Sequence, residues 1–120
     1  MMVSNFVENV CRWNIERDNL NYSRSLEYSM LDEEVNEFLV AGLADDEVAM
    51  ADALADTAVV AIGGLIKLCK GDLEKVDDIL LAVTAANDTK SNTKNEQGKI
   101  TKPEWFIGPE EMIGKILNGG

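Results

Sequence analysis

The chain contains no histidine. That absence removes the usual general base near neutral pH, the Ser–His and Cys–His nucleophile pairs, and the commonest transition-metal ligand. Any catalysis has to run on carboxylates, Lys, Tyr or metal-polarised water. Positive charge is also scarce, with 11 Lys and Arg against 22 Asp and Glu, a net charge of −11. Proteins that hold nucleic-acid polymers need cations to displace counterions from the phosphates, so the balance argues against such a partner. It leaves a single nucleotide open as ligand, because a divalent cation inverts the local charge. Cysteine is limited to Cys11 and Cys69, in no CxxC pattern, which reads as two buried or neutral thiols in a reducing compartment. No apolar run with a basic leader opens the chain, so the expectation is a cytoplasmic protein. Calcium loops of the EF-hand type, internal repeats and low-complexity segments are all missing.

What remains favours helix. The 120 residues suffice for one domain with a real core. Hydrophobic residues make up 46%, against disorder, while aromatics are only 6% and β-branched runs are short. Leu, Glu, Ala and Asp are among the commonest residues. The spacing predicts an all-α bundle of about four helices. The first spans about Val3 to Asp18, with Phe6, Val7, Val10, Trp13 and Ile15 as its buried side. The second spans about Ser25 to Ala41, stopped by Gly42. The third begins after Asp45 or Asp46 as N-cap and runs to about Cys69, with Lys67 and Lys70 facing the negative end of its dipole. Gly71 ends it, and Asp72 can cap a fourth helix in which Leu73, Val76, Ile79, Leu80 and Val83 recur at helical spacing. The segment "VAMADALADTAVVAIGGLIKLC" is long enough to raise a membrane question. Two aspartates and two adjacent glycines inside it favour a buried helix of a soluble protein, with no membrane.

From Asn87 the composition changes. "NDTKSNTKNEQGKITKP" is polar, turn-rich and locally basic, and Pro109 can open a short terminal helix. Five of the eleven cations lie beyond residue 87, giving an acidic body and a basic tail over about residues 87–120. The whole is read as a single domain, 1–120.

The acids are unevenly placed. On the second helix Met30, Glu34 and Phe38 fall on one line, so Glu34 lies inside the apolar stripe, Glu37 at its edge and Glu33 towards solvent. On the third, Asp52 and Asp56 stand one turn apart on an otherwise apolar helix, with Gly63 continuing their face. Two readings stand. Asp52 and Asp56 can reach solvent or pair with Lys67 or Arg24. Alternatively, Glu34, Glu37, Asp52 and Asp56 form a four-carboxylate cluster across a helix hairpin, which repels itself unless a hard divalent cation sits within it. Oxygen ligands alone suit Mg²⁺, or Mn²⁺ as a substitute.

Two acid motifs, "EEVNE" with Glu34 and Glu37 and "DALAD" with Asp56, precede a tail "AANDTKSNTKNEQGKITKPEWFIGPEE". Together they resemble the all-α nucleoside triphosphate pyrophosphohydrolases: MazG-like proteins, phosphoribosyl-ATP pyrophosphohydrolases and dimeric dUTPases. The tail is similar to that of compact, often phage-encoded members, matching at Asn87, Thr89, Lys90, Gly98, Lys99, Ile100, Lys102, Phe106 and Pro109. The resemblance covers about residues 25–113. It implies Glu34, Glu37 and Asp56 as metal ligands and departs from the family at position 53, where Ala53 replaces an acid. Asp52, one residue earlier, is the candidate substitute. It further implies a MazG-like bundle whose core is completed by assembly as a homodimer or homotetramer.

The reaction so implied is Mg²⁺-dependent cleavage of a nucleoside triphosphate between the α- and β-phosphates. Glu33 or Glu34 is the candidate catalytic base, Lys90 and Lys102 the phosphate holders, Asn87 a reader of base or sugar, and Trp13 a stacking surface or else a core anchor of the first helix. The rivals are a non-catalytic acidic helical interaction protein and a phosphoribosyl-ATP pyrophosphohydrolase-like enzyme.

Overall fold

The computed structural model describes residues 5–119. It is all-α: α1 (Asn5–Glu16), α2 (Arg24–Leu43), α3 (Glu47–Leu68), α4 (Leu73–Asn87) and α5 (Glu110–Gly119), with no strand among the described residues. The predicted start of the first helix at Val3 lies outside them. The chain divides into two compact units, one ending at Leu73 and the other beginning at Glu74.

In the first unit α2 and α1 both pack on α3. The α2–α3 connection is only Ala44–Asp46, which makes the two helices antiparallel neighbours. Asp46 is the N-cap of α3, its side chain accepting from Ala49 N at 3.0 Å. Ser23 does the same for α2, accepting from Leu26 N. Gly42 is not the stop that its identity suggests. It remains helical, and the turn falls on Asp45, whose φ of 52° takes up the left-handed position. At the far end of α3 Lys70 and Gly71 share that role, with φ of 56° and 82°.

The adjacent glycines of α3 set the packing. A β-carbon at Gly63 would face Asn14 and Val10 of α1, and one at Gly64 would face the Glu27 carboxylate of α2 at 3.3 Å. Both neighbouring helices therefore approach α3 at the pair of residues with no side chain. The core built there is small: Val7, Val10, Cys11, Ala41, Ala53, Ile66 and Cys69 are buried. Burial raises the Cys11 thiol above its ordinary range, which keeps it protonated, and neither cysteine is in a disulfide.

Helix α1 departs from expectation. Its buried face is Val7, Val10, Cys11 and Asn14, whereas Phe6, Trp13 and Ile15 are 43%, 49% and 57% exposed. The helix carries two apolar faces and α3 covers only one. Helix α3 shows the same excess. It is apolar enough by length and composition to cross a membrane, yet only Ala53, Gly63, Ile66 and Lys67 are buried on it.

The second unit holds α4, a loop and α5. Val76 and Ile79 are the buried apolar residues of α4. The polar tail is more ordered than its composition suggests. Ser91 N donates to Thr101 O, Thr101 N to Thr93 O, and Lys94 and Ile100 form an isolated antiparallel bridge. Asn95 Oδ1 accepts from Gln97 N and Lys99 N, and Gly98 closes the turn with φ of 83°.

Candidate metal centre

The α2–α3 pairing decides which acids meet. One turn of α2 carries Glu34 and Glu37, and Asp56 faces them from α3. One carboxylate oxygen from each lies within 4.8 Å of the others. The structure leaves Asp52 outside this group and exposed. A step of one residue rotates a side chain by about 100° around the helix. The buried position opposite α2 is Ala53, 3% exposed, so the face on which a further acid would be needed holds a methyl group. Glu33 is exposed, on the outer side of the group.

Glu34 is the electrostatically strained member. Burial raises its carboxyl above glutamate's ordinary value of 4.5. A hydrogen bond with Glu37 and the charges of Glu37, Asp56 and Glu33 push the same way. That hydrogen bond needs a proton on one of the two carboxyls. With both ionised, Glu34 Oε2 is buried and has no partner among the described residues. A buried carboxylate oxygen aimed at two further carboxylates is what a hard cation satisfies. Three oxygen donors without nitrogen or sulfur are of the hard kind that Mg²⁺, Mn²⁺ or Ca²⁺ prefers.

Two recesses flank the acids on the α2–α3 seam. One, of about 510 Å³, is lined by Glu33, Asn36, Glu37 and the apolar residues of the hairpin end. The other, of about 170 Å³, lies on the opposite side, where α1 joins the seam. There Lys67 Nζ donates to Glu27 Oε1 at 2.6 Å, with both side chains almost wholly buried. Lys67 is therefore not the partner of Asp52 or Asp56. Sequence reasoning missed Glu27, although a signal was present: Glu27 lies seven residues before Glu34, two turns along the same stripe.

Trp13 is no core anchor. Half exposed, it borders the smaller recess and a second, apolar one with Phe6 and Val59, and the Arg17 guanidinium lies 4.3 Å from its ring centroid. Asn87, Lys90 and Lys102 belong to the other unit. Asn87 is the exposed last residue of α4. The ammonium groups of Lys90 and Lys102 converge on Phe106, 5.9 and 5.3 Å from its centroid. Asp77 Oδ2 on α4 is a further buried carboxylate oxygen with no partner among the described residues.

Fold and site together define an all-α protein with a three-carboxylate cluster suited to a divalent cation. Comparison of the chain with protein-family models, with characterised proteins and with solved structures finds no match.

Proposed function

We propose that the protein is a Mg²⁺-dependent nucleoside triphosphate pyrophosphohydrolase of the MazG-like kind. It would release pyrophosphate by cleavage between the α- and β-phosphates. The observation that carries this reading is the convergence of Glu34, Glu37 and Asp56, with Glu34 Oε2 buried and unsatisfied. Glu34, Glu37 and Asp56 would hold the ion. When bound, Mg²⁺ supplies positive charge that draws in phosphate oxygens and polarises water. Glu33, exposed and adjacent on α2, is the carboxylate left free to accept a proton. In the other unit Lys90 and Lys102 converge on one ring, as point charges of the kind that hold phosphate.

The apolar excess supports assembly of the chain with copies of itself. Val35, Leu39, Val40 and Leu43 on α2 and Val48 and Leu54 on α3 are all more than half exposed. Burying such faces between protomers, as dimer or tetramer, removes them from water without a membrane.

The test is incubation with individual nucleoside and deoxynucleoside triphosphates and Mg²⁺, with pyrophosphate as the readout. Release from at least one of them is expected, and none from any would overturn the reading. Ala53 favours a second reading, a non-catalytic acidic interaction protein, because a buried methyl group stands where a second acid beside Asp56 would be needed. Thermal melting separates the two. A built site raises the melting temperature with millimolar Mg²⁺ at constant ionic strength, whereas a merely solvated acidic face responds to ionic strength alone.

A further inference from the structure

The smaller recess on the α2–α3 seam has chemistry that the phosphate reaction does not use. It begins one turn from the acids: Met30 precedes Glu34 by four residues, and Val60 follows Asp56 by four. Beyond them the walls become polar and buried. Asn14 is 5% exposed and Lys67 4%. Asn19 Nδ2 donates to Asn14 Oδ1 at 2.7 Å, and Asn14 Nδ2 donates to Val10 O at 2.8 Å. Each amide keeps a second N–H bond, Asn19 keeps its carbonyl, and Lys67 keeps ammonium N–H bonds beyond the one given to Glu27. Trp13 adds an aromatic border and Gly63 a wall without a side chain.

Such a set of neutral amides, a paired ammonium and an aromatic surface is what a small, flat heterocycle with carbonyl and ring N–H groups requires. The wider recess on the other side of the acids is largely apolar, its polar groups are carboxylates apart from Asn36, and the Asn36 amide already lies against Asp32. Size narrows the occupant further. A cavity of about 150 Å³ takes one benzene ring, and this one measures about 170 Å³. From Asp56 to Gly63 is seven residues, about 10 Å of helix rise, a span for sugar and phosphate to cover.

We propose that this recess receives the base of the nucleotide and that its volume selects a single-ring, pyrimidine base over a purine. The inference rests on the hydrolase reading for what lies at the acids, but its binding chemistry can be measured separately. Calorimetric titration of the full chain with dUMP, dCMP, dAMP and dGMP in Mg²⁺ reads binding, and pyrophosphate release from the four matching triphosphates reads turnover. Two variants probe the pocket. Gly63→Ala adds a methyl group at ordinary contact distance from Asn14 and Val10, so it should fold as the wild type does while narrowing the recess. Asn19→Ala removes one amide.

Pyrimidine nucleotides should bind and turn over in preference to purines, and each variant should weaken that preference by about tenfold or more. Turnover without base preference, or a preference that neither variant moves, overturns the pocket assignment and leaves the hydrolase reading standing. Pyrimidine monophosphate binding that the variants weaken, with no triphosphate cleaved, upholds the pocket and overturns the hydrolase. Neither binding nor turnover overturns both.

Discussion

Among the residues, Glu34 carries the sharpest consequence. Its carboxyl titrates above the ordinary glutamate range in the fold, so folding favours its protonated form. In the metal-free protein its contribution to stability is therefore fully present below glutamate's ordinary value. It is lost as pH rises through the raised value, where the folded state must carry the charge. Glu34→Gln should remove that penalty. In chelator the variant should melt higher than the wild type at pH 7, and the difference should shrink as pH falls into the acid range. In Mg²⁺ the order should reverse, since the variant loses a ligand. Glu37→Gln and Asp56→Asn should each lower pyrophosphate release by two orders of magnitude or more, on the scale of about 10²-fold for the loss of one electrostatic stabiliser. Far-UV circular dichroism should be unchanged, because both side chains lie at the surface or half-buried. Sequence spacing identified Glu34 and Glu37 and their relation to Asp56. It did not separate Asp52 from Asp56, because residues four apart share a face only approximately. Which one meets α2 depends on the rotation of α3 against it.

At the scale of the elements, the Asp46 cap was legible, while the end of α2 and the packing faces were not. The Asp46 cap of α3 is a local hydrogen bond between residues three apart, and such signals survive into the fold. Asp46→Ala should cost about 1 kcal/mol, measured by urea denaturation. The Glu27–Lys67 pair is the opposite case. It joins residues forty apart, and although the stripe of α2 places Glu27 on a buried face, nothing local names Lys67 as its partner. Glu27→Ala should cost about 3–5 kcal/mol by leaving a buried ammonium unpaired, and joint replacement by Glu27→Leu and Lys67→Met should recover most of that loss. Recovery in the double variant is the check that distinguishes a pair penalty from a simple packing defect. Helix α1 shows why burial was misjudged. Apolar spacing indicates that Trp13 and Phe6 belong on some protected face, but the spacing is silent on whether the chain itself supplies the cover.

For the whole molecule, the exposed apolar residues of α1, α2 and α3 are the dominant fact. A core as small as that of the first unit stabilises a single chain weakly, since burial of apolar area is the main favourable contribution to folding. Sedimentation equilibrium should give a mass of two or four chains, and the melting temperature should rise with protein concentration. A monomer whose melting is independent of concentration would contradict assembly. Replacing Leu39 and Leu43 with lysine should shift the mass towards one chain, since both side chains are already in water in the protomer.

The sequence by itself determined the helices, the Asp46 cap, the acid-rich second helix and the lack of any histidine-based chemistry. All of these follow from neighbours within a few turns of one another or from composition. The tertiary structure alone decided that three carboxylates rather than four converge and that Lys67 is committed to Glu27. It also decided that Asn14, Asn19 and Gly63 enclose a recess one turn from the acids. Those outcomes depend on the rotation of one helix about its axis against another. That rotation is set by where the Gly63–Gly64 pair lets α1 and α2 come close. An i, i+4 pattern fixes only a face of a helix, whereas packing fixes which residue of that face points at the neighbour.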